Sequence, residues 1–409
     1  MKPSAAFSRF FLFPAYNTEK RSAYSGKKIS RRKRDDNRIF PQKRDWLFCR
    51  RTRRNKEDKS IDYLYQAARA RALDFTYFSP EKAVMYADLH CDLLSYLSSF
   101  AREPRSGSPQ NETLPKRARN GKKKKCAGWR KNACDFRRTL RQREKRAEEG
   151  KRKAIADFSY AKCALQCFAL FCKGESAEDE GEIFDQLDLF LEIRAALRLG
   201  GVHAVLTAEG GGATCGDTEK LGALFHAGVK MFSPVWNNDN SMSAACNHAG
   251  ALTEKGKNAV AFALESGVIP DISHVSDDGT RQIFSLAKAR KKAVVASHSL
   301  VRALCPNGRN LTDSQISEIA DSGGVVGVCF VSDFAGKYPL EEHIAYLVNK
   351  GGEDCVALGG DFFGCENPLV CGARNMPAFF RSLERYFSPR LIEKIAYGNV
   401  WQRLPSLFM

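Results

Sequence analysis

Eight apolar runs, each long enough for one buried strand, recur along this chain and leave it few ways to fold. They are VMYADLHC (84–91), KCALQCFALFC (162–172), VHAVLTAEG (202–210), VKMFSPVW (229–236), VIPDISHV (268–275), AVVASHS (293–299), VVGVCFV (325–331) and CVALGGDF (355–362). Nearly continuous apolar character marks strands buried on both faces, as in a parallel sheet covered by helices. Helical patterns fall between most of the runs. DQLDLFLEIRAALRLGG carries apolar residues at helical spacing and stops at glycine. LTEKGKNAVAFALESG and LTDSQISEIADSGG each open on Leu-Thr and an acidic residue and end at glycine, so Thr253 and Thr312 are N-cap candidates. Strand–helix units in this number predict an α/β fold, a (β/α)8 barrel of TIM type; an open doubly wound sheet is the alternative. The barrel carries a corollary, that chemistry belongs at the C-terminal ends of the strands.

The chain of 409 residues has a net charge of +18, and the location of that charge matters more than its size. Residues 1–84 hold 22 Lys+Arg against 9 Asp+Glu, and residues 101–155 hold 20 against 6. The remainder is therefore acidic, with a net charge of −9. Residues 1–84 read as a basic, disordered N-terminal extension, because charge runs without an apolar period stay solvated. A barrel domain is expected over 85–405, interrupted by a basic insertion at about 101–155. The basic tracts lack the aromatic interleaving of single-strand binders, so no specific nucleic-acid partner is expected. The 14 cysteines form no C-x-x-C pair, and Cys163, Cys167 and Cys172 sit in an apolar run as small core residues. That usage predicts a reducing, cytoplasmic setting. No apolar run approaches the ~18–20 residues of a membrane span.

Metal-ligand residue types recur at one end of the predicted strands. The first strand ends at His90 and Asp92, the third at Glu209, the fifth at Asp271 and His274, the sixth at His298 and the eighth at Asp361. Three of the seven histidines stand at these places. The other four, His203, His226, His248 and His343, read as structural or surface residues, and Asp271 reads as a turn cap. Nitrogen and oxygen ligands without thiolate suit a catalytic zinc-type site with open positions, of two metals, which would activate water for amide or ester hydrolysis.

The segments DLHCD, TAEGG, DISHVSDD, VVASHS, GRNLTDSQISEIADSGGVVGV and ALGGDFFG resemble the membrane (renal) dipeptidase family of zinc metallopeptidases, in its bacterial form. The resemblance covers residues 85–100 and about 156–403. It implies two Zn2+ ions per chain, one on His90 and Asp92, the second on His274 and His298, with Glu209 bridging and a metal-bridging hydroxide as nucleophile. It implies that Arg309 grips the free carboxylate of a dipeptide, a task suited to a planar guanidinium. Asp361 would hold the free amino group and move the proton. A homodimer is a further implication.

Two departures stand out. Animal members of the family place a histidine after the fourth strand to polarise the scissile carbonyl; here the segment is SPVWNNDN, so Asn237 is the candidate donor and Trp236 a substrate contact. The block 101–155 has no counterpart, and is either an insertion or an out-of-frame stretch. Bacterial members begin just before the first strand, which suggests Met85 as a start and 1–84 as upstream sequence; a basic arm for nucleic acid or anionic lipid is the competing reading. Alternative activities on the same barrel are hydrolysis of a D-amino-acid dipeptide, a lactam or a cyclic amide.

Overall fold

The computed structural model describes residues 84–100 and 126–409, with side chains from 141 onward in the second stretch. The expectations for residues 1–83 and 101–125 lie outside the described residues.

All eight predicted strands form, and every pairing between them is parallel. Strands β1 (Tyr86–Asp88), β2 (Cys163–Phe171), β3 (His203–Glu209), β4 (Val229–Phe232) and β5 (Ile269–Pro270) make a five-stranded sheet in that order. Strands β6 (Ala296–Ser299), β7 (Val326–Val328) and β8 (Val356–Leu358) make a second sheet of three. Single bridges, Asp271–Val295 and Cys91–Phe362, connect the two sheets at both seams. At the β8 seam Leu89 N–H donates to the Leu358 carbonyl at 2.9 Å.

The core has two layers. One apolar cluster draws on every strand segment, through Ala87, Leu89, Leu165, Cys167, Val205, Met231, Ile269, Val295, Val325 and Ala357. Val400, Leu404 and Leu407 from the C-terminal turns complete it. The larger cluster lies between strands and helices. The capping expectations hold. Thr253 caps helix Glu254–Glu265 by accepting from Gly256 N–H, and Thr312 with Gln315 forms a reciprocal capping box on helix Asp313–Ser322. That helix stops at Gly323, whose φ of 83° is the left-handed conformation glycine adopts at little cost. Cys163, Cys167 and Cys172 are buried, and the eleven cysteines whose side chains are described are free thiols.

Residue 155, near which the basic insertion is expected to end, lies within a helix. Helix Cys126–Tyr160 runs through it for 35 residues. Its last turns pack onto the first sheet: Ala154 and Phe158 are buried, and Phe158 meets Phe168 of β2 edge-on at 5.9 Å. Lys151 pairs with Glu192 at 2.6 Å. Replacing Phe158, only 1% exposed, with alanine is expected to cost about 3–5 kcal/mol in denaturant unfolding, the range for a deleted core aromatic. A loss under about 1 kcal/mol would mean that this helix is not part of the cooperative unit. No helix among the described residues is long and apolar enough to cross a membrane.

Candidate metal centre

Polar side chains at or just past the ends of β1, β3, β5, β6 and β8 meet in one buried site. His90 and Asp92 follow β1. The buried carboxylate of Asp88 sets them in place: its Oδ1 accepts from His90 N–H at 3.0 Å and from Gln166 Nε2 at 2.9 Å, and its Oδ2 accepts from Gly360 N–H at 2.9 Å. Asp88 therefore ties the end of β1 to the end of β8, where Asp361 stands. Asp92 N–H donates to the Phe362 carbonyl at 2.9 Å, a second tie across the same seam. Asp361 has a φ of 54°, a left-handed conformation that aspartate tolerates better than most residues. Gly364 leaves room for both acids: a Cβ there would collide with Asp361 Oδ1 and Asp92 Oδ2.

Glu209 ends β3 and sits at the middle of the cluster. Its Oε1 lies 2.7 Å from His274 Nε2 and 3.5 Å from His298 Nε2, and its Oε2 lies 3.4 Å from His90 Nε2. His90 Nε2 is also 3.7 Å from Asp92 Oδ2 and 3.8 Å from Asp361 Oδ1. The rings of His90 and His298 stack with centroids 3.8 Å apart. Three overlapping sets, His90–Asp92–Glu209, Glu209–His274–His298 and His90–His298–Asp361, each bring their donor atoms within 4.8 Å of one another.

Burial makes this arrangement costly without a counter-charge. Burial first, then the nearby charge of Glu209, raises the Asp92 carboxyl above its ordinary range. Burial first, then Asp92, pushes Asp361 up to about 7. His274 falls to about 4 through burial and Arg309, and burial, His90 and Arg309 hold His298 well below its ordinary value. Burial disfavours a charged His90 too, but Glu209 and Asp92 outweigh it and raise its pKa well above normal. Burial likewise disfavours an ionised Glu209, but His90 and His274 hold its carboxyl well below the usual range. Asn237 Oδ1 stands 2.9 Å from His274 Nδ1. An amide oxygen only accepts, so Nδ1 carries the proton and Nε2 presents its lone pair to the centre.

His90 Nε2, Asp92 Oδ1 and Glu209 Oε2 are buried without a hydrogen-bond partner. His274 Nε2 and His298 Nε2 face each other at 3.0 Å. Two lone pairs at that distance repel unless a proton or cation lies between them. Convergent nitrogen and oxygen donors with unused lone pairs fit a divalent metal.

The centre lines a cavity of about 350 Å³. Arg309 reaches it from a loop, 5% exposed, with Nη2 donating to the His298 carbonyl at 3.2 Å and Nε and Nη1 unpartnered. Trp236 forms a wall, edge-on to Phe171 at 4.8 Å and 6.3 Å from the His274 ring. All nine site residues named from the sequence thus fall at this cavity or in contact with its ligand set. Sequence reasoning missed Asp88 and Lys173; the latter lies two residues past the end of β2 at the cavity lining. The remaining histidines lie elsewhere. His343 is buried between Val301 N–H and the Ala335 carbonyl, His203 contacts the Leu407 carbonyl, and His248 pairs with Asp239.

The sequence model of the membrane dipeptidase family (peptidase family M19) matches residues 177–406. The chain belongs to the membrane dipeptidase family. The matched span contains Glu209, His274, His298, Arg309 and Asp361, while His90 and Asp92 lie before it. Membership makes the chain a metallo-dipeptidase-type hydrolase. An uncharacterized Klebsiella pneumoniae protein encoded 5′ of pqqA is 33% identical over 216 residues, 48% of this chain and 78% of that one. The dipeptidase ataJ of Aspergillus terreus is 34% identical over 144 residues, 32% of this chain and 34% of its own length. A metallo peptidase structure from Rhodobacter sphaeroides, liganded with a phosphinate mimic of the dipeptide L-Ala-D-Ala, superposes with a TM-score of 0.60 at 18% identity, covering 80% of this chain and all of that one. The dipeptidase AC structure gives 0.57 at 22% identity, over 62% and 88%. At these identities the solved structures speak to the fold alone.

Proposed function

We propose that this membrane dipeptidase family member is a two-zinc dipeptidase working at one end of a (β/α)8 barrel formed by the two parallel sheets together. The observation that carries this reading is the buried meeting of three imidazoles and three carboxylates with unused lone pairs, beneath a buried guanidinium with two unpartnered nitrogens. His90 and Asp92 would hold one Zn2+, His274 and His298 the other, and Glu209 both. Bound zinc would supply a water of lowered pKa and would polarise the scissile carbonyl.

The chain's own groups do the rest. Arg309 takes the substrate carboxylate with its buried guanidinium, whose Nε and Nη1 have no partner within the chain. Asp361, next to His90 in the lining of the same cavity, takes the free amino group. A carboxyl raised to about 7 can also accept a proton and return it to the leaving amine near neutral pH. Asn237, whose oxygen is engaged by His274, keeps its amide N–H2 for the substrate carbonyl. Trp236 and Phe334 bound the cavity laterally. A site that grips both termini within about 350 Å³ accepts two residues and rejects longer peptides.

The test is hydrolysis of dipeptides by the purified full-length chain. The panel includes L-Ala-L-Ala, L-Ala-D-Ala and a tripeptide. Dipeptide cleavage that a chelator abolishes and zinc restores is expected, with the tripeptide untouched. Cleavage that survives full removal of metal would sink the reading.

A further inference from the structure

We infer that Asp271 is a positioning residue for the zinc site: acting through the hydroxyl of Ser297, its carboxylate fixes the tautomer of His298 so that Nε2 faces the centre unprotonated. The inference rests on the two-zinc reading for its consequence, but its hydrogen-bond logic does not.

That logic starts from donor counting. An ionised carboxylate accepts and cannot donate. Asp271, 6% exposed, receives four bonds. Its Oδ1 accepts from Ser273 N–H at 3.0 Å, from Ser273 Oγ at 2.6 Å and from Ser297 N–H at 2.9 Å, and its Oδ2 accepts from Ser297 Oγ. Ser297 has one hydroxyl proton, and it is spent on Asp271. Its oxygen stands 2.8 Å from His298 Nδ1, so there it accepts, and Nδ1 must carry the proton. The neutral ring then has its lone pair on Nε2, the atom that meets Glu209 and His274. Ser273 is spent in the same way, which leaves its oxygen to accept from His298 N–H at 3.2 Å.

Asp271 also stands at the single bridge between β5 and β6, with Val295 opposite. Its side-chain bonds to Ser297 stitch the seam there. A purely structural role would be confined to this stitching, so the test must read the tautomer itself. Asp271→Asn separates the two roles. The amide oxygen can keep the bonds from Ser273 and Ser297 N–H. The amide nitrogen now donates to Ser297 Oγ, which turns the hydroxyl proton toward His298 Nδ1. The proton of the ring is thereby displaced to Nε2, where it blocks metal binding. The two histidines of this half of the site thus differ, since His274 Nδ1 is held by the neutral amide of Asn237.

The experiment uses the full-length chain, metal-free and labelled with 15N at histidine. Long-range 1H–15N spectra should show His298 protonated at Nδ1 in the wild type and at Nε2 in Asp271→Asn. Competition with a chromophoric chelator should show one of the two zinc ions weakened by about 10- to 100-fold, the usual effect of losing a partner behind a metal-bound histidine. If Asp271→Asn fails to fold, Ser297→Ala takes its place, because it leaves three bonds to Asp271 intact. It should leave the His298 tautomer unfixed and weaken the same zinc about 10-fold. A wild-type His298 protonated at Nε2, or variants with unchanged tautomer and zinc affinity, would overturn the inference. A wild-type chain that takes up no zinc would overturn the dipeptidase reading, and the spectra would still judge the relay.

Discussion

Replacing Glu209 with glutamine is expected to strip the chain of tightly held zinc and to lower dipeptide turnover at least about 1000-fold, roughly 4 kcal/mol of transition-state stabilisation. The size follows from position. Glu209 lies within 3.5 Å of all three imidazoles of the site, reaching His274 and His298 with one oxygen and His90 with the other. Glutamine fills the same space but offers one acceptor and one N–H2 donor. Whichever way the amide turns, it aims N–H at a lone pair meant for a cation. Metal content should fall well below that of the wild type. Zinc at 100 times its Kd should stabilise the wild type by about 2.7 kcal/mol and raise its melting temperature, because a ligand that binds only the folded state shifts the equilibrium by mass action. Glu209→Gln should show little of that shift. A variant that keeps two zinc ions and the full thermal shift would remove Glu209 from the centre of the site.

The buried cluster was legible in the sequence because strand ends are marked twice, by an apolar run and by the polar residue that stops it. His90, Asp92, Glu209, His274, His298 and Asp361 all carry that double mark, and the structure gathers them. Arg309 has no such mark. It lies in a loop, and only the resemblance of GRNLTD to the family motif pointed to it. Asp88 was hidden within the first strand, where it looks like an interruption of an apolar run rather than the clasp between β1 and β8. Asp271 read as a turn cap, and its bond from Ser273 N–H bears that out. Its reach across the β5–β6 seam depends on a residue 26 positions away in the chain, and local spacing does not report such partners. The same limit explains why the runs predicted as strands were longer than those that pair. At their ends side chains such as those of Asp88 and Asp271 take over the hydrogen bonding. Charge density hid how the helix Cys126–Tyr160 docks, through apolar residues such as Ala154 and Phe158 in its last turns. Asn237 was read as a replacement for a carbonyl-polarising histidine; the structure adds that its oxygen orients His274.

Arg309→Lys is expected to cost about 100- to 1000-fold in kcat/KM on free dipeptides while leaving metal content unchanged. Lysine keeps the charge, so a loss of this size would come from geometry. Arg309 is pinned by its bond to the His298 carbonyl and by Phe334, whose ring centre lies 5.1 Å from the guanidinium carbon. That holds the plane of the guanidinium in one orientation with Nε and Nη1 still unpartnered, and an ammonium cannot reproduce a planar set of donors. Two charge-assisted bonds at about 1.5–3 kcal/mol each set the scale, reduced by whatever the lysine recovers. The substrate provides the control. A dipeptide with its C-terminal carboxylate converted to the amide should already be poor for the wild type, and Arg309→Lys should slow it little further. If Arg309 contacts the carboxylate, the enzyme change and the substrate change remove the same interaction, and together they cost little more than either alone. Additive losses would place Arg309 elsewhere, as a brace for His298 rather than a grip on substrate. The chelator-competition affinity for zinc would then fall with the same variant, which distinguishes the two roles.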